Sequence, residues 1–112
     1  MTKSNCRYES SFNDGVLEFR LLGEIDHHSA VNIRTDMDAE ICEHRPKKVI
    51  IELRGIDFMD SSGLGLIIGR AEMCRDMRTE VVVTGLSPTH LKLVRISGIE
   101  KIPNVVIGRT EK

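Results

Sequence analysis

The run Asp60-Ser61-Ser62-Gly63-Leu64-Gly65 holds the residues most able to do chemistry: two hydroxyls, a carboxylate and two glycines in one short stretch. It lies between a β-branched apolar run and a helical periodicity, so the serines stand where a helix begins. The unsatisfied N–H groups and positive dipole end of a helix start favour anions, by roughly 0.3–1 kcal/mol for the dipole alone. A dianionic phosphate at these hydroxyls would gain both contributions. Glycine weakens a helix by about 1 kcal/mol relative to alanine, so Gly63 and Gly65 suggest that something approaches the backbone closely. The plainer reading is a serine N-cap followed by glycines that let the helix pack tightly on a sheet. Spacing alone leaves both readings open.

Other reactive side chains carry weaker signals. His27 and His28 are adjacent, so on a helix they point about 100° apart and do not share one tetrahedral ion. With no cysteine or carboxylate at ligand spacing, neither a metal nor a cofactor is expected. A Ser61–His28–Asp26 triad is conceivable, but the run is not G-x-S-x-G and no separate oxyanion motif accompanies it. No catalytic residue is therefore assigned, and the protein is read as a non-enzyme. Cys6, Cys42 and Cys74 are odd in number and widely spaced, which suits a reducing compartment better than a disulfide framework or a zinc site.

The elements that must position these residues follow from periodicity. Arg7–Phe12 and Val16–Ile25 alternate around Asp14-Gly15 and predict a β-hairpin. From His27 to His44, Ala30, Ile33, Met37 and Ile41 recur at helical spacing, with Arg34, Asp36, Asp38, Glu40 and Glu43 facing away. Asp26 is the expected N-cap and Pro46 the stop. Val49–Leu53 reads as a strand buried on both faces, Gly55–Asp60 as a loop and Ser61–Met77 as a second helix. Val81–Val83 is a further buried strand, Ser87-Pro88 opens a short helix that Gly98 closes, and Val105–Ile107 is a last edge strand. The order ββαβαβαβ predicts an α/β domain whose mixed sheet begins with a hairpin and continues in parallel βαβ crossovers, with helices packed on it. Three loops, around Glu24–His28, Phe58–Gly63 and Gly85–Ser87, should then meet at the carboxyl ends of the parallel strands, where ligands and partners of such sheets bind.

The second helix has two apolar stripes. Leu64, Ile67, Ile68 and Ala71 should face the sheet. Leu66, Met73 and Met77, beside Arg70, fall nearly opposite, and are either covered by a neighbouring helix or exposed for a partner.

At 112 residues the chain makes one domain with a core about 7–107. Sixteen Lys+Arg against seventeen Asp+Glu leave a net charge of −1, and aromatics are 4% without tryptophan. That balance gives no footprint for direct nucleic-acid binding and no base-stacking platform. No apolar run reaches the roughly 18 residues of a membrane helix, and Met1–Asn5 lead into no signal-like segment. The expected setting is cytoplasmic, away from membranes.

Two motifs together, Leu22-Gly23-Glu24-Ile25-Asp26-His27-His28-Ser29-Ala30 and Phe58-Met59-Asp60-Ser61-Ser62-Gly63-Leu64-Gly65, resemble the STAS domain of bacterial anti-sigma factor antagonists, nearest to the stage II sporulation protein AA type. Gly85-Leu86-Ser87-Pro88 and Ser97-Gly98 also fit. The resemblance implies a single STAS domain and a partner-switching protein. The unmodified form would bind an anti-sigma factor that is also an ATP-dependent serine kinase, freeing a sigma factor. Phosphorylation would end that contact, and a metal-dependent phosphatase of the PP2C type would restore it. It also implies Ser61 as phosphoacceptor, with Ser62 the alternative, flanked by Asp60 and Asp26, with Glu24 and Asp26 placed to meet basic side chains of the kinase. With the second stripe of the helix, the expected partner-binding set is Glu24, Asp26, His27, Met59, Asp60, Ser62, Gly63, Leu66 and Arg70. The family usually continues past the last strand into a C-terminal helix, whereas this chain stops at Gly108-Arg109-Thr110-Glu111-Lys112. The competing reading from the residues is a small-ligand module that binds a nucleotide or phosphorylated metabolite at the serine-glycine helix start.

Overall fold

A computed structural model describes residues 6–108; the N-terminal Met1–Asn5 and the tail Arg109–Lys112 lie outside the described residues. The order is β1 (Cys6–Asn13), β2 (Val16–Ile25), α1 (His27–His44), β3 (Lys48–Met59), α2 (Ser61–Asp76), β4 (Glu80–Thr84), α3 (Pro88–Ser97), a 3-10 turn (Ile99–Lys101) and β5 (Val105–Ile107). Every expected element is present. The hairpin turns through Asp14 and Gly15, both at positive φ (53° and 80°), as a two-residue turn between twisted strands requires.

The strands lie side by side in sequence order, β1 antiparallel to β2 and the rest parallel. Parallel crossovers of the usual hand that always step in one direction put every helix on the same face of the sheet. Burial agrees. Leu17, Phe19, Leu21, Val49, Ile51, Leu53, Val81, Val83 and Val105 alternate along their strands and are buried on one side, while Ile50 and Val82 are only half-buried and Val106 is exposed. Among the described residues, Val49–Leu53 and Val81–Val83 are therefore not covered on both faces as their apolar runs suggest. A sheet wound in a single direction has one uncovered side.

β3 is also longer than expected. The stretch 55–60, read as a loop from its Gly and Asp content, is strand as far as Met59. Two register shifts against β2 absorb the extra residues: Arg20 pairs Glu52 but Leu22 pairs Gly55, and Gly23 pairs Ile56 but Glu24 pairs Phe58. Gly55 sits in the first of them, where a Cβ would meet Leu22 Cδ2 at 2.6 Å. Bulges of this kind re-aim the side chains that follow. Leu53, Ile56 and Met59 all point inward at spacings of three, leaving Asp57 and Phe58 exposed.

α2 packs on the sheet and on α1 together. Its buried residues are Gly63, Leu66, Ile67, Arg70, Ala71 and Cys74, while Leu64 and Ile68 are only half-buried. Of the second stripe, Leu66 is buried while Met73 and Met77 are half-buried. Leu66 is 4% exposed, and Arg70 Nε lies 2.7 Å from Asp38 Oδ1 of α1. Leu66 and Arg70, both expected to meet a partner, are buried. Nor do Asp38 and Glu40 simply face away: Asp38 meets α2, and Glu40 accepts hydrogen bonds from Tyr8 (2.6 Å) and Ser10 (2.8 Å) of β1.

Candidate functional site

The carboxyl ends of β2 and β3 bring the two motifs together. Ile25 pairs Met59, and the Asp60 N–H donates to the Ile25 carbonyl at 3.3 Å. Each strand then turns directly into a helix capped by aspartate. Asp26 is the N-cap of α1 in a reciprocal capping box: its Oδ1 accepts from the Ser29 N–H (2.9 Å), and Ser29 Oγ accepts from the Asp26 N–H (3.0 Å). Asp60 is the N-cap of α2, its Oδ1 accepting from the Ser62 N–H at 2.7 Å, while its carbonyl accepts from the Gly63 N–H at 3.0 Å. Neither serine is the cap. Ser61 is the first residue of α2 and exposed, and Ser62 is half-buried.

This arrangement alters the expected anion site. A helix start attracts an anion through free N–H groups, but here Asp60 has taken the Ser62 donor and supplies the negative charge itself. A phosphate on Ser61 would stand in water beside a carboxylate, held by few backbone donors. The same occupancy weighs against a free phosphorylated metabolite at this point.

The two glycines separate. A Cβ on Gly63 would collide with Met59 Cγ and come within 2.7 Å of Met59 Sδ, so the close approach at that position is made by the chain's own core. Met59 is 4% exposed and Gly63 is buried. Both were expected to meet a partner; both are buried and pack beneath the site, and Met59 also lines the cleft toward the start of α3. At Gly65 a Cβ would meet nothing within 4 Å.

The exposed residues of the motif edge are Glu24, His27, His28, Asp57, Phe58 and Ser61. Phe58, 49% exposed, was not among the candidate residues. Its cross-strand partner is Glu24, so an acidic residue and an aromatic ring lie side by side next to Ser61. The only sequence signal for it is its alternation with Met59, which has meaning once 55–59 is known to be strand. The third loop joins the edge too: a cleft of about 450 Å³ runs between Ile56–Met59 and Ser87, Thr89, His90 and Leu93 of the α3 start. Beneath the edge, burial pushes the Cys6 thiol up to about 11, with the Leu22 backbone N–H opposing and the Asp26 charge adding to the rise. Among the described residues, no group of three or more His, Cys, Asp or Glu side chains could hold a metal ion.

The STAS-domain family matches residues 7–111, nearly the whole chain. This chain belongs to the STAS-domain family. An anti-sigma F factor antagonist of Paenibacillus polymyxa is 37% identical over 98 residues, covering 88% of this STAS domain and 84% of that protein. An anti-sigma-B factor antagonist of Listeria monocytogenes is 30% identical over 87 residues, covering 77% and 75%. Among solved structures, Bacillus SpoIIAA in its phosphorylated form superposes with a TM-score of 0.71 at 27% identity, over 91% of each chain. The unphosphorylated form of SpoIIAA gives 0.69 at 27% identity, over 80% and 83%. The expected resemblance is thus established at the level of family and fold.

Proposed function

We propose that this STAS domain is an anti-sigma factor antagonist of the sporulation type, and that phosphorylation of Ser61 switches it off. The observation that carries the reading is Ser61 itself: an exposed hydroxyl on the first residue of α2, at the strand-end edge that holds both family motifs. The names of its relatives and the two forms in which SpoIIAA has been solved support it.

The partner is an anti-sigma factor that is also a serine kinase. Unmodified, the edge around Glu24, Asp26, His27, Phe58 and Ser61 packs against it and releases the sigma factor. Basic partner side chains meet Glu24 and Asp26. In the kinase reaction Ser61 Oγ forms a bond to the γ-phosphorus of ATP, the bond to the β,γ-bridging oxygen breaks, ADP leaves, and the hydroxyl proton passes to a base of the kinase. A metal-dependent phosphatase reverses the modification by hydrolysis. All of this takes place in the cytoplasm.

The switch is local. Phosphorylation adds about −1.5 to −2 charges and three acceptor oxygens beside Asp60, whose carboxylate already closes the helix start. A partner seated on this edge would have to strip water from a dianion with few donors to replace it. A penalty of roughly 3–4 kcal/mol lowers affinity by about 10²–10³. The test is incubation with a kinase anti-sigma factor and ATP, followed by mass mapping. Phosphate on Ser61, and none in Ser61→Ala, is the expected result; modification of Ser62 or of neither serine would overturn the assignment.

A further inference from the structure

The cleft between the end of β3 and the start of α3, about 450 Å³, falls within the roughly 300–1,000 Å³ of small-molecule sites. Much of its lining is apolar: Ile56 and Met59 are buried, Leu93 is half-buried, and the exposed Phe58 forms part of the wall. One polar group in it is unexplained by the fold. His90 lines the cleft from α3 and is only 7% exposed, yet its Nδ1 is buried with no hydrogen-bond partner among the described residues. The His90 N–H serves the α3 cap, where Ser87 Oγ accepts it, so the helix accounts for the backbone and not for the ring. A buried nitrogen without a partner is costly, and native interiors keep few of them without a reason.

Charge decides the sign of a ligand. Asp57 lines the cleft, is exposed, and takes no part in the ion pairs among the described residues. Among the described residues, neither lysine nor arginine lines it. A phosphate or carboxylate would therefore meet a like charge and find no countercharge. Glu24, the exposed cross-strand partner of Phe58, places a second carboxylate beside the ring, and aromatic faces attract cations as well. Ser87 and Thr89 bring hydroxyls that accept hydrogen bonds, as does a histidine Nδ1 when Nε2 carries the proton. Acceptors of three kinds beside apolar walls match an ammonium group, with its three N–H donors, on a hydrophobic body.

We propose that this cleft binds a small primary amine carrying an aryl or alkyl body. The ammonium pairs with Asp57 and donates to the His90 ring and to a hydroxyl of Ser87 or Thr89. The body lies on Ile56, Met59 and Leu93, against the ring of Phe58. Binding there needs neither a partner protein nor a phosphate on Ser61, so it stands or falls apart from the antagonist reading.

The test follows the backbone amide NMR shifts of the full chain during titration with phenethylamine. Phenylpropionate keeps the aryl body without the cation, and ethylamine keeps the cation without the body. Phenethylamine should move the amides of residues 56–59 and 87–93 saturably, and each control should bind at least about tenfold more weakly. Asp57→Asn should weaken phenethylamine about tenfold at low salt and less at high salt, where exposed charges are screened. His90→Phe, which keeps a ring and removes Nδ1, should weaken it several-fold and raise the melting temperature of the unliganded chain. If His90→Phe does not fold, Asp57→Asn, altered only at an exposed position, decides alone. No saturable shift at the cleft, equal affinity for either control, or unchanged affinity in Asp57→Asn or in folded His90→Phe would overturn the proposal.

Discussion

The contact between Arg70 and Asp38 joins the motif helix to its neighbour, and its two ends are unequally buried. The Arg70 side chain is 7% exposed and that of Asp38 is 36% exposed. Nε and Oδ1 are 2.7 Å apart, but the oxygen is off the N–H direction, so the contact is an ion pair without a hydrogen bond. Among the described residues, the guanidinium's other polar contact is a long one of 3.4 Å to the Leu66 carbonyl. Burial pushes the Arg70 pKa below its ordinary value, and Asp38 pulls it back up. Removing one member of a fully buried pair costs about 3–5 kcal/mol because a charge is left without compensation, whereas an exposed pair contributes about 0–1 kcal/mol. Asp38→Ala strands a cation in the interior; water reaching it through the vacated site brings the expected loss to about 2–4 kcal/mol. Arg70→Met strands only a carboxylate that water already reaches, and its apolar chain fills the same space, so the expected loss is about 0–1 kcal/mol. The double variant should lie close to Arg70→Met. Urea unfolding of all four proteins gives the double-mutant cycle. Equal losses in the two single variants, or a larger loss in Arg70→Met than in Asp38→Ala, would refute the reasoning.

Two further outcomes follow from burial. Leu66→Glu should destabilise the domain by several kcal/mol, since it places an unpaired carboxylate between α1 and the core; an unchanged urea midpoint would return Leu66 to the surface. Stability should also fall at alkaline pH. Burial pushes the thiols of Cys6 and Cys74 up to about 11 from 9.0, so the native state holds protons that the unfolded chain releases. Stability is full below about pH 9 and declines toward pH 11, by up to roughly 2–3 kcal/mol per thiol, and urea midpoints across that range in wild type and Cys74→Ala measure it. A flat wild-type profile between pH 9 and 11 would contradict the burial of both thiols.

What was legible in the sequence is what local chemistry decides. Asp14-Gly15 fixed the hairpin, and the α1 boundaries follow from Asp26 and Pro46. Ser87-Pro88 and Gly98 bracket α3: the Ser87 Oγ accepts from the His90 N–H, and Gly98 adopts the left-handed cap. The place of Ser61 at a helix start was legible too, although the cap is Asp60 and not a serine. What was not legible depends on neighbours distant in sequence. The strand 55–59 exists because β2 extends alongside it, so neither its bulges nor the exposure of Phe58 shows in a stretch of Gly, Asp and apolar residues. The half-exposure of Ile50 and Val82 depends on the direction in which the sheet is wound. Periodicity placed Leu66 and Arg70 on a face of α2 away from its presumed core stripe, but it carries no information on whether a helix or a partner covers that face.

The central claim is that one phosphoryl group on Ser61 turns a docking edge into a surface the partner rejects. Calorimetric titration of a purified anti-sigma F factor with the unmodified chain and with the chain phosphorylated at Ser61 tests it most directly. The first should bind, and the second should bind about 10²-fold or more weakly. Equal affinity for the two forms would contradict it.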